Sequence, residues 1–128
     1  MKESGRFVIH KHTRGTNIHR DLMLEADEGL ETYRLNLSPG RLIKESCPAE
    51  KIFEHPLKFL TYEGPVNKGE GNVEIEDRGT FKVIQQQQGC IEMEMEGEIL
   101  QGRFVLKYIG GDEWQFGAVK TQDPRLKT

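Results

Sequence analysis

Apolar and polar residues alternate with period two along much of the chain, which is the pattern of β-strands with one buried face. Phe7 and Ile9 alternate with Val8, His10 and His12. From Cys90 to Glu96 the alternation is sharp, with Ile91, Met93 and Met95 on one face and Glu92, Glu94 and Glu96 on the other. Phe104, Leu106 and Tyr108 share a face, as do Trp114, Phe116 and Ala118. The pattern predicts strands over 6–12, 20–26, 31–37, 72–77, 80–86, 90–96, 102–109 and 113–120. Glycines fall mainly between these runs, and Gly79, Gly89, Gly97, Gly102 and the pair Gly110-Gly111 read as turns. No segment has the 3.6-residue period of a long amphipathic helix. The stretch from Ser46 to Phe53 reads as at most one helical turn, with Ser46 as its cap. About eight short, mostly antiparallel strands joined by glycine-rich turns predict an all-β fold, a compact closed or nearly closed barrel. The Glu92/Glu94/Glu96 stripe reads as a solvated face and the methionine stripe as core. The polar stretch Thr121–Thr128, with Pro124, reads as a loose tail.

The chain has 128 residues, enough for one domain with its own core. Charged residues make up 30% and the net charge is -3, which argues against broad, non-specific nucleic-acid binding. The basic residues are unevenly placed: Lys2, Arg6, Lys11, Arg14 and Arg20 lie in the first twenty positions, together with His10, His12 and His19. Cys47 and Cys90 are too few for a disulfide framework and have no zinc-site spacing. The segment MKESGRFVIH lacks an apolar signal region, and no stretch approaches the roughly 18 apolar residues of a membrane span. The expected location is therefore the cytoplasm, with no membrane partner.

Chemistry concentrates in residues 11–21. On a strand, His19, Asp21, Met23 and Glu25 share one face, while Leu22 and Leu24 take the other. Side chains two apart lie roughly 6–7 Å from each other, close enough to converge on one ion. His12, from the preceding strand, supplies a third ligand. Two imidazoles and a carboxylate with open positions suit Mn²⁺, Fe²⁺ or Zn²⁺. On spacing alone, the alternative is an ordinary polar face of a half-exposed strand. His10 shares the face of His12 and is a candidate alternative ligand.

Several blocks, in order, resemble one family. Arg6-Phe7-Val8-Ile9, Lys11-His12 and His19-x-Asp21-x-x-Leu24-Glu25 are similar to the opening of the DNA ligase D 3'-phosphoesterase domain family. Glu54-His55-Pro56-Leu57 with Tyr62-Glu63-Gly64 resembles its H-P-L block. Gly69-Glu70-Gly71 and Asp77-Arg78-Gly79-Thr80-Phe81 resemble its central blocks, and Gly97 to Phe104 its G-E-K-L-K-G-R-W. Trp114 and Lys120 resemble its close. The match spans residues 6–120 and makes the chain, read as one domain over 1–128, similar to a stand-alone member.

The resemblance implies a β-barrel with a polar interior pocket. It also implies a Mn²⁺-dependent activity, with Zn²⁺ or Co²⁺ as alternative metals, on DNA or RNA-tipped DNA 3' ends. Such activity removes a 3'-ribonucleoside and then a 3'-phosphate, leaving a 3'-hydroxyl for a separately encoded DNA ligase or polymerase. Carried over position by position, His12, His19 and Asp21 match the metal ligands, and His55 matches the catalytic histidine that contacts the scissile phosphate. Arg14 is a further candidate for the phosphate.

The chain departs from the family at four places. Six residues separate His12 from His19 where the family has five. Met23 stands where the family has an arginine, Phe59 where it has a tyrosine, and Glu31 where it has a lysine. A thioether and a phenyl ring can neither carry charge nor donate a hydrogen bond. The replacements for these lost contacts are sought among Arg14, Arg34, Arg41, Lys44, Lys58 and Tyr62. Three readings follow: a DNA end-processing phosphoesterase of full or reduced activity, a catalytically degenerate barrel that binds metal, phosphate or nucleic-acid ends, and an esterase for other small phosphoesters.

Overall fold

A computed structural model describes residues 2–119, so Lys120 and the tail 121–128 lie outside the described residues. Nine strands follow one another as β1 (Ser4–Arg14), β2 (Asn17–Glu25), β3 (Leu30–Leu35), β4 (Cys47–His55), β5 (Gly64–Val66), β6 (Gly71–Gln87), β7 (Cys90–Gly97), β8 (Gln101–Gly110) and β9 (Glu113–Ala118). They form one sheet in the order β1-β2-β3-β4-β9-β8-β7-β6-β5. Every pairing is antiparallel, and a further pairing of β1 with β6 closes eight of the strands into a ring. β5 lies outside this ring, against the start of β6. The fold is therefore all-β and barrel-like, as the alternation predicts. No helix among the described residues is long and apolar enough to cross a membrane.

The inward-facing set is apolar. Phe7, Ile9, Leu22, Leu24, Tyr33, Leu35, Phe81, Ile91, Met93, Met95, Phe104, Leu106 and Phe116 pack into one core, all at least nine-tenths buried. The methionine stripe is thus core, and Arg103 on the opposite face bonds to Glu92 and Glu94. A polar interior does not exist. The residues that alternate with this core on β1–β3 face away from it, and the polar pocket lies on that outer face. Period two allows nothing else: a strand that buries Phe7 and Ile9 must turn His10 and His12 the other way.

Two local expectations need correction. Residues 47–55 form strand β4 and not a helical turn: Cys47 and Ala49 are buried in the core while Pro48 and Glu50 are exposed. Ser46 accepts a hydrogen bond from Gln115 on β9 instead of capping a helix. The one α-helix among the described residues is a single turn, Pro39–Leu42. The runs 72–77 and 80–86 are a single strand, β6, and Gly79 lies within it. A Cβ at Gly79 would come 1.9 Å from the carbonyl oxygen of Glu96, so glycine is needed there for the close approach of β7. Gly79→Ala meets backbone and not a flexible side chain. We expect it to lower unfolding free energy by at least about 2 kcal/mol, in the range of core overpacking. A urea denaturation midpoint equal to wild type would show that β6 and β7 do not approach in this way.

Asp77 closes the other end of β6. It is buried, and its Oδ1 accepts the backbone N–H groups of Arg78, Glu98 and Ile99 at 2.9, 2.8 and 3.0 Å. Its Oδ2 accepts that of Leu100 at 2.8 Å. The turn between β7 and β8 is therefore organised by a carboxylate on a third strand.

Candidate active site on the outer face of β1–β4

The register of three strands assembles the site. β1 and β2 form a hairpin whose last pair is Arg14 with Asn17, so His12 lies directly opposite His19, His10 opposite Asp21, and Val8 opposite Met23. β3 continues the rows, with Arg34 opposite Asp21 and Thr32 opposite Met23. Directly opposed residues share a face. The result is a polar patch in which each row adds one side chain from each strand. The sixth residue between His12 and His19 does not disturb it: an even count closes a two-residue turn with the histidines still paired.

His55 enters from β4. Register shifts between β3 and β4, so that Leu30 lies opposite His55 while Thr32 lies opposite Ile52. This irregularity brings Phe53 and His55 to the pocket. The chain then turns through a short 3-10 segment, Leu57–Leu60, that roofs the patch. Val8, Met23, Leu30 and Leu60 form a second small core beneath it, with Phe59 and Ile75 packed alongside. The pocket between roof and sheet has a volume of about 300 Å³ and is lined by His10, His12, Asp21, Arg34, His55 and Phe59 among others.

One nitrogen from each of His12 and His19 and one oxygen of Asp21 lie within 4.8 Å of one another. His12 Nδ1 is 3.0 Å from His19 Nε2, which is 3.5 Å from Asp21 Oδ2. An N···N edge of this length is what two ligands at right angles make around an ion roughly 2.1 Å from each. Burial holds the pKa of His19 below the ordinary histidine value; Arg34 and His12 act in the same direction and Asp21 opposes them. A neutral imidazole is the form that ligates metal. On its far side the His12 ring is buried against β6, where a Cβ on Gly71 would come 2.8 Å from Nε2, so glycine leaves the ring its room. His12 Nε2 itself has no hydrogen-bonding partner. The donor set, its spacing and this cradle all fit a divalent transition ion.

His10 is fully buried in the same pocket, and neither ring nitrogen has a bonding partner. Burial lowers its pKa, against the attraction of Asp21. It is not among the three residues whose ligand atoms converge. The structure thus keeps it beside the triad and not in it.

His55 is oriented by two acceptors. Thr32 Oγ1 donates its hydrogen to the Leu30 carbonyl at 3.0 Å. It must therefore accept from His55 Nδ1, which lies 2.9 Å away and also 3.2 Å from the Phe53 carbonyl. Nδ1 then carries the hydrogen and Nε2 the lone pair. Burial, chiefly, lowers the pKa of His55 and favours this neutral form.

The departures from the family pattern sort themselves by face. Met23 is buried in the small core at the pocket floor, and Phe59 packs edge-on against His55 with centroids 5.9 Å apart. Arg34, one strand over from Met23, places its Nε 3.4 Å from Asp21 Oδ1 and lines the pocket. It is the arginine that the site retains. Arg14 is exposed at the hairpin end and pairs with Glu70 at 3.2 Å, so the structure does not bring it to His55. Arg41 pairs with Glu45 on the surface, Lys58 sits over the Phe59 ring, and the Tyr62 hydroxyl donates to the Pro65 carbonyl. Glu31 points to the opposite face of β3, where Lys51 lies 3.4 Å away. No charge reversal therefore stands beside the pocket. Thr32 had no part in the sequence reading, and Arg34 was one of six cations with no means of choosing among them.

Comparison with known proteins agrees with this geometry. The multifunctional non-homologous end joining protein LigD of Mycolicibacterium smegmatis is 28% identical over 131 aligned residues, covering 91% of this chain and 17% of that protein. The corresponding DNA repair protein LigD of Mycobacterium tuberculosis is 30% identical over 125 residues, covering 91% of this chain and 16% of its own length. The chain thus spans about a sixth of these relatives. The family model described as the DNA ligase D 3'-phosphoesterase domain matches residues 9–108, a span that holds every residue of the pocket. This chain belongs to the DNA ligase D 3'-phosphoesterase domain family.

Proposed function

We propose that the chain is a metal-dependent phosphoesterase that processes DNA 3' ends, removing a terminal 3'-ribonucleoside or 3'-phosphate to leave a 3'-hydroxyl. The observation that carries this reading is the convergence of His12, His19 and Asp21 in one pocket with Arg34 and His55. His12, His19 and Asp21 would hold a divalent transition ion, Mn²⁺ first and Zn²⁺ or Co²⁺ as alternatives, which supplies positive charge for a phosphoryl oxygen and acidifies bound water. Arg34 fixes a second phosphoryl oxygen and orients Asp21. His55 Nε2 takes the proton that an attacking water gives up, and the imidazolium then donates to the phosphoryl group. The new P–O bond comes from water. The bond that breaks is the one between phosphorus and either the ribonucleoside oxygen or the DNA 3' oxygen. The 3'-hydroxyl left behind is the group that a DNA ligase seals or a polymerase extends, which makes such an enzyme the downstream partner.

The test is to incubate the protein and Mn²⁺ with labelled strands ending in a 3'-phosphate or a 3'-ribonucleotide. Conversion to 3'-hydroxyl supports the reading. The second reading, a binding module without turnover, draws on Met23 and Phe59 in the pocket, and predicts Mn²⁺ and strand binding with no product.

Arg34→Met isolates the retained arginine. One charged hydrogen bond contributes about 1.5–3 kcal/mol, so kcat/KM is expected to fall about 10- to 100-fold. The loss should persist at saturating Mn²⁺, which separates a phosphate contact from help in orienting Asp21. Turnover equal to wild type at saturating Mn²⁺ would remove Arg34 from the reaction.

A further inference from the structure

Phe53 stands at the mouth of the pocket with its ring stacked on His55, centroids 4.7 Å apart and planes 13° from parallel. One face of the ring is thus covered, yet the residue is 74% exposed, the most exposed of the large hydrophobic side chains. It contributes nothing to either core. The β3–β4 irregularity holds it in place on a strand, two residues before the histidine that faces the phosphate. The open face of a phenyl ring in water, rigidly mounted and parallel to a catalytic imidazole, is an arrangement that folding does not require.

We propose that Phe53 is a stacking platform for the nucleobase of the 3'-terminal nucleotide. The proposal rests on the phosphoesterase reading and deepens it by naming what selects the substrate. With the terminal phosphate between Arg34, His55 and the triad, its nucleoside extends out of a pocket too small for the whole nucleotide chain, and the base lies one sugar away, at the mouth. All four bases present a π-face, so stacking there is tolerant of sequence, as end processing demands. Small phosphoesters without a ring gain nothing from the platform. The pocket thereby distinguishes nucleic-acid ends from other phosphates without base-specific hydrogen bonds.

The experiment compares two single strands with a 3'-phosphate, identical except that the terminal nucleotide of one is abasic. The full chain is used as wild type, Phe53→Ala and Phe53→Trp, with Mn²⁺. The readout is the ratio of kcat/KM for the base-ended strand to that for the abasic strand, and the same ratio of affinities by fluorescence anisotropy. Wild type and Phe53→Trp are expected to favour the base-ended strand about tenfold or more, and Phe53→Ala to bring the ratio near one. An equal loss on both strands in Phe53→Ala would mean that the ring only positions His55, and would overturn the proposal. So would a wild-type ratio near one. Absence of turnover with the affinity ratio still dependent on Phe53 would sink the catalytic reading while leaving the platform standing. Turnover with no dependence of either ratio on Phe53 would do the reverse.

Discussion

Removing the imidazole of His19 is expected to weaken Mn²⁺ binding by more than about 100-fold and to take hydrolysis of a 3'-phosphate below detection. Loss of a group that merely orients a metal ligand already costs about 10- to 100-fold, and His19 supplies a ligand atom itself. Its Nε2 lies between His12 Nδ1 at 3.0 Å and Asp21 Oδ2 at 3.5 Å, at the centre of the donor set. Alanine there leaves the other two ligands without the group that joins them. The fold should survive. His19 is a partly exposed residue in a hairpin secured by backbone pairing, and the contact it loses is one between neutral rings, about 1 kcal/mol. Calorimetric titration with Mn²⁺ and product release from a labelled strand measure the two effects, with the urea midpoint of the metal-free protein as the control. Mn²⁺ affinity unchanged in His19→Ala would place the metal elsewhere in the protein.

The largest stability effect is expected at Asp77. Asp77→Ala strips the partner from four backbone N–H groups, those of Arg78, Glu98, Ile99 and Leu100. Hydrogen bonds to a charged acceptor contribute about 1.5–3 kcal/mol each, but donors on exposed residues recover water when released. Glu98 and Ile99 are exposed; the Leu100 side chain is fully buried. The net loss is therefore put at about 3 kcal/mol, a fall of roughly 10 °C in Tm for a domain of this size. The loss should appear with Mn²⁺ or without it, because the Asp77 bonds lie on the β6–β8 side of the ring and not in the pocket. Asp77→Asn keeps the shape and one acceptor oxygen, and is expected to fall between. Thermal unfolding of the three proteins decides the matter; a wild-type Tm for Asp77→Ala would mean that the β7–β8 turn holds itself.

The contrast between these two residues shows what was legible in the chain. The ligands His12, His19 and Asp21 could be read because alternation on a strand is a local rule, and because two strands joined by a short turn inherit their register from it. The same logic would have found Arg34. The turn between β2 and β3 pairs Glu25 with Leu30, so Asp21 must meet Arg34 four residues further out. That turn had not been placed, and Arg34 stayed one cation among several. Glu31 was misjudged for the complementary reason: it aligns with a family lysine, but its parity on β3 sends it to the face that bears Tyr33.

Residues 47–55 were the weakest point. Pro48, the charged residues and the brief apolar run make a poor strand in isolation, and β4 exists because β3 and β9 both offer it hydrogen bonds. His55 reaches the pocket through that strand and its irregular register, which no local pattern encodes. Gly79 was legible as a special position but not as which kind, since the same residue serves a turn and a close approach between strands.

By itself, then, the sequence determined the strand periodicity, the division of β1 and β2 into an apolar and a polar face, the triad, and the family. Each of these follows from near neighbours or from an ordered set of motifs. The tertiary structure alone decided which face became the interior, because only closure of β1 onto β6 makes one side of the sheet concave enough to exclude water. With the larger apolar set enclosed, the histidines and Asp21 had to lie outside. There the 3-10 roof and the arrival of His55, Arg34 and Phe53 from other strands turned a polar face into a pocket.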